Sequence, residues 1–405
     1  MRCRWGRYVR FPYAERMHAQ PGSVIVVGAG LSGWRTAKDL RRLGFAGPLT
    51  LIGDEDELPY DRPPLSKAVL TGEREPEAVR LTTDEEIADL GIDFRRGVRV
   101  AKISEGVVEA ADGERLEADA IVIATGSRAN IPPFIADMPD VRPLRNLADA
   151  RRIRDDFDRI TSVLILGGGF IGAEVAGSAR KRGIEATIVE AMPTILGPLG
   201  PEIAAAVEQI HRDQGVAVVT GAPVEIVDAT SDDGATVVLA DGRKLTADMV
   251  VVGFGARLNT EVASEFATPE GVACDDHGRV IGHPGLYAVG DVAAWWDPRV
   301  GQHVHREHWQ TAGDTAAIVA LTIMGQEATA YESAPPYFWT DQPGVKVQLL
   351  GWPSLGDRQG WIESEDVEHG KAYGWWKGDT LVAVALLGQP RLMARYRKQL
   401  METAL

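Results

Sequence analysis

The hydrophobic positions near the start of the chain form two short apolar runs with a longer mixed segment between them. Four β-branched residues, Val24 to Val27, predict a buried parallel strand. The segment from about Leu31 to Leu43 carries Ala and Leu and predicts a helix. A second apolar run, Leu49 to Ile52, predicts the next strand. The order strand, helix, strand predicts a βαβ unit.

Three glycines and an acidic pair indicate what this unit binds. Gly28, Gly30 and Gly33 follow the first strand in the pattern GxGxxG, which allows a tight turn and brings the backbone close to a pyrophosphate at the helix N-terminus. Asp54 and Glu55 end the second strand, where such a unit has a carboxylate for the ribose hydroxyls. Because all five features occur in order, we predict a dinucleotide site; a glycine turn without a nucleotide is the alternative.

The same pattern occurs a second time. An apolar run over 161–166 precedes a second GxGxxG motif, Gly167 to Gly172, and the next strand ends in Glu190. Each copy continues with a hairpin signal, Asp112-Gly113 or Asp241-Gly242, and with an apolar strand closed by glycine. This self-similarity predicts two nucleotide-binding domains of like plan.

The last third of the chain follows other patterns. A short apolar strand over 285–291 ends in Gly-Asp and precedes a helix that includes Trp309. From about Tyr331 the composition shifts to Pro, Trp and Gly. Alternating segments then predict an antiparallel sheet, and a basic helix is predicted over 390–400; the segments are Val345–Leu350, Lys371–Trp376 and Leu381–Leu387.

Composition and charge narrow the classes of function. The chain has 405 residues, 45% of them hydrophobic, and a formal net charge of −15. The length predicts two or three domains, and the acidic balance argues against binding to nucleic acid or to an anionic membrane. No apolar run of about 18 residues occurs, so no membrane span is predicted. Cys3 and Cys274 form no CxxC motif, which favours a reducing cytoplasm.

The first 20 residues are treated separately because they are basic. No apolar stretch follows their five arginines, which excludes a secretory signal. We expect a disordered tail, or an over-extended start with Met17 as the true initiator. An Arg-rich organellar presequence is the alternative.

Two dinucleotide units in one chain predict a flavin and a nicotinamide that exchange a hydride. Glu190 favours NADH, since a carboxylate accepts from the ribose 2′-OH and repels a 2′-phosphate; a capping or solvated Glu190 is the alternative. The segment 59–67 after the first unit contains no cysteine, so electrons leave the flavin directly. His303 and His305 lack metal-ligand spacing, and no metal site is predicted.

Several motifs together resemble those of a known enzyme family. They are the two glycine motifs, PYDRPPLSK, ATGSR, AVGDVA, EHWQTA and PYFWTDQ. Residues 22 to 390 are similar to the FAD-dependent NAD(P)H:ferredoxin reductases of bacterial oxygenase systems, the family of putidaredoxin reductase and of the reductases of Rieske-type dioxygenases. The resemblance implies an α/β fold with two Rossmann-like dinucleotide-binding domains, on the glutathione-reductase-like plan, plus a C-terminal α+β domain.

The resemblance also implies how the chain divides. Residues 1–20 are a tail, 21–130 and 260–330 form an FAD-binding domain of two segments, 131–259 form an NAD-binding domain, and 331–405 form a C-terminal reductase domain. FAD is expected to be bound non-covalently. NADH is the expected electron donor, with NADPH as the alternative.

Three residues are implied to be catalytic. Lys67 is expected beside the flavin ring, paired with Glu174; a surface lysine is the alternative. The cation stabilises the anionic reduced ring, and the carboxylate holds the cation in place. Trp339 is expected at the flavin edge, where a protein partner docks. Ordinary core packing is the alternative for Trp339 and for Trp309.

Other residues are implied to bind the cofactors. Asp54 is expected to bind the FAD ribose, with Glu55 as the fallback. Arg145 is expected on an FAD phosphate and Asp291 on the ribitol chain. A helix N-cap is the alternative interpretation of Asp291, and the two roles are compatible. The remaining FAD contacts are Gly28, Gly30, Ser32, Gly33, Arg62, Lys67, Val100, His308 and Trp309. The NAD contacts are Gly167, Gly169, Phe170, Ile171, Gly172, Glu190, Gly255 and Glu307.

The sequence departs from the family at two places. Met192-Pro-Thr194 replaces the basic residue that is usual shortly after Glu190, which weakens one contact to the nicotinamide nucleotide. The segment Phe254–Leu258 also lacks the usual apolar-Gly-x-x-Pro-Asn form. Neither departure touches the residues expected at the flavin ring.

The function implied is that of an NADH:ferredoxin reductase. Its expected partner is a small iron–sulfur ferredoxin, of the [2Fe–2S] or a similar type, and indirectly an oxygenase. A monomer or a weak homodimer is expected. The alternatives are a rubredoxin or nitrite-reductase-type reductase, and an NADH-sensing flavoprotein of the apoptosis-inducing-factor type.

Overall fold

The computed structural model describes residues 20–402 apart from 134, 137, 139, 232–233, 329–333 and 364–370. The predicted N-terminal tail lies outside the described residues except for Gln20. In the described part of the chain, no helix combines the length and the apolar character that crossing a membrane requires.

The first part of the chain forms the predicted βαβ unit. Its elements are β1 (Val24–Val27), α1 (Leu31–Arg42), β2 (Leu49–Ile52), α2 (Asp84–Asp89), β3 (Asp93–Arg95), β4 (Val100–Ser104), β5 (Val107–Ala110), β6 (Arg115–Glu117), β7 (Ala120–Ile123) and β8 (Ser127–Ala129). β1 pairs in parallel with β2 and β7, and β4, β5 and β6 form an antiparallel sheet around the predicted hairpin. A one-turn π-helix, Leu65–Val69, follows β2 and carries Lys67.

The second part repeats this plan. Its elements are β9 (Val141–Pro143), α3 (Leu147–Phe157), β10 (Ser162–Leu166), α4 (Phe170–Lys181), β11 (Glu185–Val189), α5 (Pro201–Asp213), β12 (Ala217–Val219), β13 (Val224–Ser231), β14 (Gly234–Leu239), β15 (Lys244–Ala247), β16 (Met249–Val252) and β17 (Ala256–Leu258). The parallel sheet runs β12-β11-β10-β16-β9, and β13, β14 and β15 form a separate antiparallel sheet. The predicted internal repeat is therefore confirmed.

The third part returns to the first sheet. Its elements are β18 (Ala267–Thr268), β19 (Gly271–Cys274), β20 (Leu286–Ala288), β21 (Ala293–Asp297), β22 (Gln302–His305) and α6 (Trp309–Ile323). β20 pairs in parallel with β7, which gives the order β20-β7-β1-β2-β3. The hairpin of β21 and β22 was not predicted. β21 is buried at four of its five positions, so its sequence shows no alternation of apolar and polar residues.

The C-terminal part is an antiparallel sheet with one helix. Its elements are β23 (Tyr337–Gln342), β24 (Val345–Gly351), β25 (Arg358–Trp361), β26 (Ala372–Lys377), β27 (Thr380–Leu387) and α7 (Met393–Glu402). The order is β23-β24-β27-β26-β25, and this confirms the predicted sheet. The final helix begins later than predicted because Pro390–Leu392 forms a 3₁₀ turn before it.

Core packing places the π-helical turn between the second sheet and the C-terminal sheet. Leu65 and Val69 belong to one buried cluster that also contains Ile165 of β10, Val175 of α4 and Tyr373 of β26. Lys67, between these two buried residues on the turn, is therefore held where three parts of the chain meet.

Candidate functional site

The first glycine turn forms a backbone cradle at the start of α1. Gly28 has a φ of +112°, and a Cβ there would lie 2.2 Å from the Ala124 carbonyl oxygen. A Cβ on Gly33 would lie 1.8 Å from the Gly28 carbonyl oxygen, so α1 packs directly on the turn. A Cβ on Gly30 would meet nothing within 4 Å, and no side chain caps α1. The open N–H groups fit the diphosphate of a dinucleotide.

A cleft with about 1400 Å³ of empty space lies beside this turn. Its lining brings together many of the residues predicted from the sequence: Gly28, Gly30, Ser32, Asp54, Glu55, Arg62, Arg145, Ile171, Glu174, Asp291, Glu307, His308 and Trp309. Gly33, Lys67, Val100 and Trp339 are not among them. Val100 is only 8% exposed and belongs to the core around the first sheet. The cleft is therefore shared by residues predicted for FAD and residues predicted for NAD.

The two acidic residues after β2 differ in their contacts. Glu55 accepts hydrogen bonds from the Tyr60 hydroxyl at 2.6 Å and from Arg62 Nη2 at 3.0 Å. Asp54 is exposed in the cleft lining, and its carboxylate has no hydrogen-bond partner among the described residues. Asp54 is thus the available acceptor for ribose hydroxyls, while Glu55 orders the wall behind it.

Arg145 and Asp291 meet across the cleft wall. Arg145 Nη2 lies 2.9 Å from Asp291 Oδ2, and the Ser127 hydroxyl donates to the same oxygen at 2.9 Å. The alternative that Asp291 is a helix N-cap is wrong: it lies inside the 3₁₀ turn Gly290–Val292, and α6 begins much later, after His308. The Asp291 carboxylate is instead held by side chains that face the cleft.

The predicted Lys67–Glu174 ion pair is confirmed as a contact. Lys67 Nζ lies 3.0 Å from Glu174 Oε2 and donates to the Pro63 carbonyl at 3.1 Å. Glu174, which is only 7% exposed, also accepts from the Ser66 and Thr340 hydroxyls, each at 2.6 Å. A buried carboxylate needs such partners. Ser66 and Glu174 form the inner wall of the cleft, and the Lys67 ammonium group lies beside them.

Aromatic side chains lie together at the part of the cleft that Trp309 lines. Trp309 donates from Nε1 to Asp61 Oδ1 at 2.6 Å, and its ring is 6.0 Å from the ring of Trp339 in an edge-to-face arrangement. Trp309 is 40% exposed, so the core-packing alternative is wrong for it. Trp339 is partly exposed and stacks on Tyr337 at 5.8 Å. The two tryptophans mark an open aromatic edge.

The second glycine turn repeats the geometry of the first. A Cβ on Gly167 would lie 2.3 Å from the Gly253 carbonyl oxygen, while one on Gly169 would meet nothing within 4 Å. Glu190 accepts from the Gly168 amide at 2.7 Å and from the Met192 amide at 2.8 Å. The carboxylate is partly exposed and stands at the glycine turn, where the ribose of a nicotinamide dinucleotide belongs.

Three other residues predicted for NAD are partly or fully exposed. The Phe170 ring contacts Phe338 of β23 at 4.5 Å, and Ile171 is 40% exposed in the cleft lining. Gly255, with a φ of +82°, is exposed, and a Cβ there would meet nothing within 4 Å.

Among the described residues the cleft contains no thiol. Cys274 is fully buried on β19, and burial raises its pKa well above the ordinary value. Cys3 lies outside the described residues. No cysteine lines the cleft, so the position that follows the first unit offers Ser66 and Lys67 and no sulfur relay.

Comparison with known proteins identifies the family. Residues 22–316 match the pyridine nucleotide-disulphide oxidoreductase family, and residues 337–404 match the reductase C-terminal family. The chain belongs to the pyridine nucleotide-disulphide oxidoreductase family. Membership implies FAD and NAD(H) as cofactors, and the two uncapped glycine turns fit two such dinucleotides.

Individual members of this family are similar over most of the chain. The ferredoxin–NAD(+) reductase subunit of a benzene 1,2-dioxygenase system from Pseudomonas putida is 37% identical, over 81% of this chain and 80% of that protein. Rhodocoxin reductase from Rhodococcus erythropolis is 34% identical, over 83% of this chain and 79% of that protein. The reductase in a covalent putidaredoxin reductase–putidaredoxin complex superposes with a TM-score of 0.88 at 29% identity, over 94% of this chain and 93% of that one.

Several residues of this oxidoreductase site were not predicted from the sequence. Tyr60 and Asp61 lie in PYDRPPLSK, and Thr340 and Asp341 lie in PYFWTDQ, so the motifs that carried the resemblance contained them. Their partners are far away in the chain, and no local spacing indicates these contacts. Ser127, which bridges Arg145 and Asp291, was missed for the same reason.

We expect His308 to make this oxidoreductase less stable in acid. Burial, assisted by the nearby Arg306 charge, lowers the pKa of His308 to about 4 from 6.5, and its Nδ1 has no partner among the described residues. The unfolded chain therefore binds a proton that the folded chain does not. The contribution of His308 to the free energy of unfolding is present above pH 6.5 and is lost as the pH falls toward 4. About 2 kcal/mol of it is lost by pH 5.

Urea unfolding at pH 7 and pH 5 measures this effect. Between pH 7 and pH 5, the free energy of unfolding of the wild type is expected to fall by about 2 kcal/mol more than that of His308→Gln, because glutamine does not titrate. Equal losses in the two proteins would contradict the assignment.

Proposed function

We propose that the chain is an FAD-dependent NADH:ferredoxin oxidoreductase. Electrons pass from NADH through FAD to a small iron–sulfur protein, for which we propose a [2Fe–2S] ferredoxin that feeds an oxygenase. The observation that carries the proposal is a cleft lined by residues of both dinucleotide-binding units. Its lining includes Glu174, which pairs with Lys67, and Trp309, which contacts Trp339, and among the described residues no cysteine lines it.

The chain's own groups are suited to hold the flavin dinucleotide. Bound FAD supplies the exchange between a two-electron donor and a one-electron acceptor. The open amides after Gly30 and the Arg145 guanidinium bind the phosphates, and the free Asp54 carboxylate accepts from ribose hydroxyls. Asp291, fixed by Ser127 and Arg145, faces the cleft as an acceptor for the ribitol chain.

Lys67 provides a fixed positive charge at the inner wall. Its ammonium is held by a buried carboxylate and a carbonyl, so it need not reorganise when negative charge builds up nearby. Glu174 holds the ammonium group in place through the 3.0 Å ion pair. The two residues act as one unit, with Glu174 positioned by hydroxyl donors from the π-helical turn and from β23.

NADH is placed by the second unit. The open amides after Gly169 bind its diphosphate, and Glu190 accepts from its ribose. Ile171 and Glu307, which line the cleft, border the nicotinamide and exclude water from the reacting face.

The acceptor is proposed to dock at the aromatic edge. Trp339, Trp309 and Tyr337 lie together there, and Arg397 of α7 lies with its guanidinium 5.8 Å from the Tyr337 ring. A basic group beside partly exposed rings suits an acidic ferredoxin, although the whole chain is acidic.

The proposed domain boundaries follow the sheets. We propose residues 21–130 and 260–330 as the FAD-binding domain, 131–259 as the NAD-binding domain and 331–405 as the C-terminal reductase domain. The return of β20 to the first sheet supports the two-segment domain. A cytoplasmic location and a monomeric or weakly dimeric state are parts of the same proposal; the content of only two cysteines supports the first.

The purified protein is expected to be yellow and to release FAD on heating. The cleft offers Asp54 for the adenosine ribose, a contact that FMN cannot use because it has no adenosine. Chromatography of the heat-released flavin tests this. Recovery of FMN, or of no flavin after native expression, would contradict the proposal.

NADH is expected to exceed NADPH as the donor by about tenfold or more in kcat/KM. A 2′-phosphate that faces the Glu190 carboxylate costs one or a few kcal/mol. Steady-state kinetics with both donors measures the ratio, and Glu190→Gln is expected to reduce it. Equal use of both donors by the wild type would show that Glu190 does not contact the ribose.

A further inference from the structure

Strand β23 of the C-terminal sheet donates hydrogen bonds to the Lys67–Glu174 ion pair. The Thr340 hydroxyl donates to Glu174 Oε1 at 2.6 Å, and the Asp341 amide donates to the same oxygen at 3.1 Å. Trp339, the preceding residue of this strand, lies at the aromatic edge. One short strand therefore contacts both the buried ion pair and the proposed docking surface.

A glycine on α4 permits this close approach. A Cβ on Gly177 would lie 2.7 Å from Pro343 Cγ, and Pro343 begins the turn between β23 and β24. Gly177 is one helical turn after Glu174, so the close contact at Gly177 seats β23 where Thr340 and Asp341 reach the carboxylate.

The Asp341 side chain stands between two ammonium groups. Its Oδ2 lies 3.8 Å from Lys67 Nζ, and its Oδ1 lies 3.1 Å from Lys346 Nζ. The Lys67 side chain is 22% exposed and the Lys346 side chain 46% exposed. Lys346 Nζ is also 6.0 Å from the Trp339 ring centroid. One carboxylate thus joins the lysine of the inner wall to a lysine at the aromatic edge.

We propose that Asp341 is a positioning residue through which charge at the docking surface acts on the flavin site. This inference rests on the proposed function for the place of the flavin and of the partner. Lys346 neutralises part of the Asp341 charge in the free protein. When acidic groups of a docked partner engage Lys346, the Asp341 carboxylate acts more strongly at Lys67, which disfavours additional negative charge on the flavin and favours electron release.

The test is the reduction equilibrium of the flavin in the purified flavin-containing protein, measured against redox dyes. Asp341→Asn is expected to shift this equilibrium about fivefold toward the reduced form, which is about 20 mV for a two-electron couple. Lys346→Met is expected to shift it about threefold in the opposite direction. In the double variant the effect of Lys346→Met is expected to disappear, because it acts through Asp341.

Asp379→Asn is the matched control. Asp379 is exposed in the turn between β26 and β27, at the opposite end of the same sheet, and its replacement removes the same charge. No shift is expected for it. An equal shift in the Asp341 and Asp379 variants, no shift in Asp341→Asn, or an undiminished Lys346 effect in the double variant would overturn the inference. The measurement of the flavin reduction equilibrium needs no ferredoxin. Failure of the protein to reduce a ferredoxin would contradict the proposed function, whereas the role of Asp341 is decided by the flavin equilibrium alone.

Discussion

Replacing Lys67 with alanine is expected to slow flavin reduction by NADH about a hundredfold, the size of effect that follows the loss of one preorganised electrostatic group. The fold and the FAD content are expected to change little, because the contacts of Lys67 among the described residues are few: Glu174, the Pro63 carbonyl and, at a longer distance, Asp341. Stopped-flow bleaching of the flavin under anaerobic conditions measures the rate.

The Glu174→Ala variant is expected to show a smaller loss than Lys67→Ala. With Glu174 removed, Lys67 still donates to the Pro63 carbonyl and has Asp341 as a second carboxylate at 3.8 Å. The double variant is expected to be non-additive, since the pair acts as one unit. Additive losses in the rate of flavin reduction, or no loss in Lys67→Ala, would contradict the paired role and favour the alternative that Lys67 is a surface residue.

Reversing the charge of the basic C-terminal patch is the second change with a large expected effect. The patch consists of Arg391, Arg395, Arg397 and Lys398. Replacing Arg391 and Arg397 by glutamate is expected to lower the rate of ferredoxin reduction about tenfold or more at low salt. Transient electron-transfer complexes are small, and charge acts mainly on their association rate. Arg397 lies beside Tyr337, which stacks on Trp339, so the patch borders the aromatic edge.

Ferricyanide provides the control for this variant, because a small acceptor needs no protein docking surface. Its reduction is expected to stay within about twofold of wild type, and the difference in ferredoxin reduction is expected to shrink at high salt. If both activities fell together, or if neither changed, this helix would be a solvated face and the docking surface would lie elsewhere.

The parts of the site that could be predicted are those with local patterns. The glycine turns, the strands around them and Asp54 follow one another within a short stretch, so spacing alone indicated a dinucleotide site. The Lys67–Glu174 pair joins residues far apart in the chain, and only the family resemblance indicated it; the structure then placed the two side chains 3.0 Å apart.

The parts that could not be predicted depend on contacts between separate segments. Thr340 and Asp341 reach Glu174 because Gly177 admits Pro343, a packing detail that leaves no periodic signal. Asp291 resembled a helix cap because it follows a strand and precedes a helix in the sequence, but the hairpin of β21 and β22 separates it from that helix. Fully buried strands such as β21 lack the alternation of apolar and polar residues by which a half-buried strand is recognised in a sequence.

Anaerobic titration of a [2Fe–2S] ferredoxin with NADH, in the presence of a catalytic amount of this protein, tests the central claim most directly. The visible absorbance of the ferredoxin is expected to bleach with two ferredoxins reduced for each NADH consumed, since one hydride carries two electrons. Bleaching of the bound flavin by NADH while the ferredoxin stays oxidised would contradict the account.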